Sequence, residues 1–149
     1  MAEYKTAEQV RDEHLRVLGP TLGPLYYALD YEVTCLHAKW NQYRVLFAES
    51  PERVELLNRV AGFFFFVIED VLWKDVVLHI ARLTDWPQSG RKNENLTLLR
   101  LSAAVRPRAP ELSREIKNLV KQAKTDAKSA REWRNRHLAH SDLKLAVDA

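Results

Sequence analysis

Residues 111–140 read ELSREIKNLV KQAKTDAKSA REWRNRHLAH, a stretch without a glycine or a proline. Leu112, Ile116, Leu119, Ala123, Ala127, Ala130, Trp133 and His137 recur in it at spacings of three and four, which predicts one helix over about residues 111–140 with a single apolar stripe. The alanines in its middle let another helix come close. Lys117, Lys121, Lys124, Lys128 and Arg131 lie mostly away from the stripe and form a basic outer surface. An amphipathic helix of this length needs helical neighbours to cover it, and the rest of the chain supplies them.

Immediately upstream, the prolines of Arg106-Pro107-Arg108-Ala109-Pro110 must end a short helix expected over residues 96–105. Residues 86–93 are the longest polar, turn-rich segment and read as a loop. Before them, residues 51–83 read as a helix. Ser50 is its N-cap, Pro51 its first residue and Glu52 an acid in its first turn. Its middle, Gly62-Phe63-Phe64-Phe65-Phe66-Val67-Ile68, is apolar all round, which predicts a central helix bent near Gly62 with the phenylalanines in the core. Four in a row cannot face one side, so at least one packs on another helix layer or on a dimer partner. Residues 24–48 carry Leu25, Leu29, Val33, Leu36, Trp40, Tyr43 and Leu46 on a further stripe. Residues 6–18 begin with Thr6 and Gln9 at capping-box spacing, with Glu8 favouring the helix dipole, and Gly19, Pro20, Gly23 and Pro24 interrupt the chain after them. The expected fold is all-α, a bundle of four to five helices with a long C-terminal helix. It is one domain over residues 1–149, with a core over about 6–142 and a tail at 143–149.

Composition agrees. A chain of 149 residues with 46% hydrophobic and 29% charged residues can build one continuous core, and four Gly with six Pro leave too few turn residues for many short strands. The longest apolar run, residues 60–68, is far short of the ~20 needed to span a bilayer, so no membrane partner is expected. The charged N-terminus lacks the pattern of a signal peptide, and the single Cys35 suits a reducing compartment, so a cytoplasmic protein is expected. Charge is uneven. Residues 1–90 hold nine Lys/Arg against thirteen Asp/Glu, whereas residues 91–144 hold fourteen against six. Such asymmetry suggests an anionic partner for the C-terminal third, nucleic acid being the usual one.

Within the last helix, Arg131-Glu132-Trp133-Arg134-Asn135-Arg136-His137-Leu138-Ala139-His140-Ser141-Asp142 departs from the amphipathic scheme, since Arg134, His137 and His140 fall on or beside the apolar stripe. Burying such groups without partners costs ~1–3 kcal/mol for a neutral one and more for a guanidinium. Either they are satisfied internally, His137 as a hydrogen-bonded core histidine, or this helix end faces a cleft. Arginine offers bidentate hydrogen bonds to phosphate and histidine titrates near neutral pH, so together they suit a phosphate site where a proton moves. Asn135 is placed to orient the guanidinium or to bond a ribose hydroxyl.

Arg134-Asn135, four further residues and then His140, late in an all-α chain, resemble the signature of the HEPN superfamily. The chain length, the helix order and His79-Ile80-Ala81-Arg82-Leu83-Thr84-Asp85 after a long apolar helix are similar to its AbiU-like abortive-infection branch. That resemblance implies a metal-independent endoribonuclease of antiphage-defence or toxin type, without a cofactor. It implies a composite active site across a homodimer, with RNA as substrate and an antitoxin protein as a further partner. By the motif, Arg134 is the phosphate ligand, Asn135 its polar companion and His140 the acid/base. His137 and Arg136 are accessory candidates, and Arg131, Lys128 and Lys124 are candidates for tracking an RNA backbone. Asp142 stands where the branch paired with nucleotidyltransferase antitoxins has a modified tyrosine.

The competing readings have mechanisms of their own. Basic residues favour helix C-termini, so Arg134 and His140 also read as capping groups, and the lysine face as plain solvation. His14, His37 and His79 are isolated, and Asp75 with His79 reads as a surface pair at i, i+4. Neither a phosphate-cradling glycine loop nor a His-Glu-x-x-His run occurs, which argues against nucleotide hydrolysis of the Walker type and a di-metal bundle. The alternative to an enzyme is a helical interaction module that binds RNA or a partner protein without cleaving it.

Overall fold

A computed structural model describes residues 5–89 and 93–138. The described chain is helical apart from one short ladder. α1 spans Ala7–Tyr43 and continues into a π-turn at Arg44–Ala48, and α2 spans Pro51–Thr84. β1 (Gln88–Ser89) pairs antiparallel with β2 (Asn93–Glu94), Gln88 opposite Glu94. α3 (Leu99–Val105), α4 (Pro110–Asp126), α5 (Lys128–Trp133) and a second π-turn (Arg134–Leu138) follow. The expected all-α class is the observed one, and the expected loop at residues 86–93 carries the two-residue ladder.

The chain falls into two compact units. One takes the chain up to Val33 together with Arg82–Asp126, and the other takes Thr34–Ala81 together with the chain from Ala127.

In the first unit the expected capping box forms: the Thr6 amide donates to Gln9 Oε1 at 2.7 Å, and the Gln9 amide to Thr6 Oγ1 at 3.3 Å. α1 then folds back at Gly19, whose φ of 80° and ψ of 177° lie outside the helix and favour glycine. The two arms meet closely, with the His14 ring 5.0 Å from that of Tyr26. Gly23 makes this approach possible, since a Cβ there would stand 2.7 Å from the His14 carbonyl oxygen. The Arg108 guanidinium donates to the Leu18 carbonyl beside the turn. Further along, the Leu98 amide donates to Leu83 O at 2.9 Å, and Arg100 bonds Asn95 O and Pro87 O at 2.6 and 2.7 Å. α3 begins at Leu99, three residues later than expected, because residues 94–98 serve this junction.

α4 turns its buried face one residue away from the expected stripe. Leu112 and Leu119 are exposed, whereas Ser113 is buried and Ile116, Val120 and Ala123 are half-buried. Ser113 sets this rotation, its hydroxyl donating to Ser102 O of α3 at 2.7 Å. The single C-terminal helix expected over residues 111–140 is interrupted. Ala127 has ψ of 7°, and just before it the Thr125 hydroxyl donates to Lys121 O at 3.0 Å. A side chain that competes for the i−4 carbonyl weakens the helix locally.

In the second unit α2 cannot run straight. The Tyr43 and Trp73 rings lie 5.5 Å apart and Lys39 pairs with Asp75 at 2.6 Å. Yet a straight helix from Pro51 to Trp73 would be about 33 Å long. The bend is at Ala61 (φ −157°, ψ 60°), beside the expected Gly62. After it, α2 runs antiparallel to the end of α1, since Tyr43 meets Trp73 and the earlier Lys39 meets the later Asp75. Val76, Val77, Ala81 and Ala127 are buried apolar residues of this unit. The phenylalanine run is not core. Phe65 and Ile68 are half-buried, while Phe63, Phe64 and Phe66 are exposed. A helix packed on one side buries only one stripe, and here that stripe passes through Phe65 and Ile68.

Candidate functional site

The motif segment is carried by α5 and the π-turn that follows it. α5 restarts the helix at Lys128, with the Arg131 amide donating to Ala127 O at 3.1 Å and an exposed Lys128–Glu132 contact at 3.8 Å. A surface pair of that kind adds little stability. The Arg134 amide donates to both Ala130 O and Arg131 O, where the backbone changes register into the wider turn. Single π-turns of this sort occur often at functional sites.

Arg134 is half-buried on this turn. Its Nε and Nη2 both donate to Asn135 Oδ1, at 3.1 and 3.0 Å. The two motif residues are thus joined side by side. Two donors on one acceptor fix the guanidinium plane, and a planar guanidinium is the group whose geometry matches phosphate oxygens.

His137 is exposed, which corrects the reading of a core histidine. Its ring stacks on Trp133 with centroids 4.9 Å apart and planes 29° from parallel. This aromatic pair was missed as a pair, although its signal, an indole and an imidazole four residues apart, is plain in the sequence. Arg136 is exposed and Arg131 half-buried. His140 lies outside the described residues.

The lysines divide between the units. Lys128 and Arg131 belong with Arg134, whereas Lys124 belongs to the other unit, half-buried with its ammonium 3.2 Å from the centre of the Trp86 ring. Among the described residues, no three His, Cys, Asp or Glu side chains are gathered so as to hold a metal ion. No described helix is long and apolar enough to cross a membrane.

Comparison with known proteins places the chain in a family. The family model of the HEPN type described as AbiU2 covers residues 20–149. No curated protein and no solved structure matches the chain.

Proposed function

Since this chain belongs to the AbiU2 family of HEPN domains, we propose that it is an endoribonuclease of the antiphage-defence or toxin type, cleaving RNA without a metal. The observation that carries this reading is the Arg134–Asn135 fork on the π-turn, at the position where the family resemblance puts the phosphate ligand. In the proposed reaction His140 takes the proton of a ribose 2′-OH, and the 2′ oxygen attacks the adjoining phosphorus. Charge builds on the non-bridging oxygens against Arg134, which Asn135 positions. The bond from phosphorus to the 5′ oxygen then breaks. That oxygen takes a proton from a second histidine, the His140 of a second copy, leaving a 2′,3′-cyclic phosphate and a 5′-hydroxyl. Arg136, exposed on the same turn, and Lys128 with Arg131 before it add positive charge along the path of the strand. The same reading places the protein in the cytoplasm under the control of an antitoxin protein.

The test is cleavage of total and transfer RNA in EDTA by the wild type, Arg134→Ala and His140→Ala. Cleavage by the wild type alone, leaving cyclic phosphate ends, is the expected result, with each variant slower by ~10²–10⁴-fold. Equal activity in all three preparations means a contaminant and ends the proposal. RNA bound but cut by none of them favours the non-catalytic binding module.

A further inference from the structure

We propose that the outer face of the His137 ring is a stacking platform for one unpaired nucleobase of an RNA strand, next to the phosphate assigned to Arg134. The imidazole lies on Trp133 with centroids 4.9 Å apart and planes 29° from parallel, and Trp133 is half-buried whereas His137 is exposed. One face of the imidazole is thus backed by an indole that packing holds in place, and its exposed face is the opposite one. The π-turn favours this stack. With about 3.6 residues per α-helical turn, the fourth residue along overshoots the first, and in the wider turn at Arg134–Leu138 it falls more nearly over it.

The surroundings say what lies on this face. From Ala127 to Leu138 four cationic side chains, Lys128, Arg131, Arg134 and Arg136, stand against one acid, Glu132, which meets Lys128 at 3.8 Å. A ligand of this segment therefore carries negative charge. A flat, uncharged ring face takes a flat partner. A nucleotide joins both properties, a planar base and an anionic phosphate one sugar apart. On the helix surface His137 stands three residues after Arg134 and four after Trp133, so the stack and the Arg134–Asn135 pair are neighbours on one side. The base has to be unpaired, because in a duplex its faces are covered by the bases above and below. His137 thereby binds the strand rather than moving a proton. The choice of RNA rests on the proposed function, whereas the stack itself is read without cleavage.

The experiment is titration of the full chain with a short 2′-O-methyl oligouridine strand, which cannot be cut, carrying 2-aminopurine at each position in turn. The fluorescence of this base is quenched when it stacks. Wild type, His137→Ala and His137→Phe are compared, with circular dichroism as the check on folding. The expected result is quenching by the wild type at one position, binding weakened about tenfold or more in His137→Ala, and binding kept in His137→Phe, which retains a flat ring. An abasic sugar at the quenched position is expected to weaken wild-type binding by a similar factor and to cost His137→Ala nothing further. Its wild-type arm needs no variant to fold. Wild-type binding without quenching overturns the proposal, as does equal quenching by wild type and His137→Ala, or a strand that does not bind. RNA cleavage by a wild type that leaves the 2-aminopurine bright keeps the endoribonuclease and removes the stack, and quenching without cleavage does the reverse.

Discussion

Asn135 accepts hydrogen bonds from Nε and Nη2 of Arg134, its neighbour in sequence, at 3.1 and 3.0 Å. The contact spans a single peptide bond, so it forms locally and holds the guanidinium plane before any substrate arrives. Preorganised charge of this kind is the largest contribution to catalysis at many phosphoryl centres.

Asn135→Ala is therefore expected to lower kcat/KM for RNA cleavage by about tenfold, and Arg134→Lys by ~10²-fold or more, because an ammonium cannot reproduce the fork. Steady-state kinetics on a defined oligonucleotide measure both. Wild-type rates in Arg134→Lys would show that only charge matters at this position.

The hairpin of α1 depends on two glycines for different reasons. Gly19→Ala forces a side chain onto φ 80° beside the Arg108 guanidinium, at an expected cost of ~1–3 kcal/mol. Gly23→Ala meets backbone at 2.7 Å and is expected to cost a similar ~1–3 kcal/mol as the arms separate. Gly62→Ala is the control, since no atom lies within 4 Å of the added carbon. It is expected to be neutral or stabilising by up to ~1 kcal/mol. Urea denaturation of the three variants ranks them.

Burial raises the Tyr43 phenol above its ordinary value of 10.0, and the nearby Glu69 carboxylate adds to the effect. The neutral phenol is thus favoured in the folded state. Its contribution to stability is complete below the ordinary phenol pKa and is lost as pH rises through the higher folded value. Thermal melts between pH 8 and 11 are expected to show an alkaline decline that Tyr43→Phe reduces.

At the start of α2 the Ser50 hydroxyl donates to Glu52 at 2.7 Å and accepts from the Arg53 amide at 3.2 Å. Ser50→Ala is expected to cost ~1 kcal/mol through loss of the cap. The hydroxyl is also the main reason the Glu52 carboxyl titrates below its ordinary 4.5. That contribution is present above the ordinary carboxylate pKa and is lost as pH falls through the folded value, so the wild-type advantage over Ser50→Ala should shrink in acid. An advantage that is constant from pH 7 to 3 would show that Glu52 takes no part.

The sequence made local features legible where a residue acts on its own neighbourhood. Thr6 with Gln9, Ser50 with Pro51, the interruption at Gly19 and the bend beside Gly62 are all decided within a few residues, and all stand close to where they were read. Features that depend on distant partners were not legible. The face of α4 is turned by Ser113 reaching Ser102, and the helix breaks at Ala127 behind Thr125, although its stripe of apolar spacing continues unbroken. Hydrophobicity made Phe63 and Phe66 read as core, because composition records how apolar a residue is and not whether a neighbour covers it. At the site, Asn135 beside Arg134 could be read, since adjacency is local, while the exposure of His137 could not.

The chain passes from one unit to the other at Val33/Thr34, at Ala81/Arg82 and again at Asp126/Ala127. Each unit is therefore assembled from separated pieces of the polypeptide. No single cut of the gene isolates either one intact. A nascent chain released as far as Asp126 already contains all of the first unit and still lacks the piece of the second that bears Arg134. The turn that bears Arg134 is thus synthesised only after every residue of the first unit, so the first unit can be complete before that turn exists.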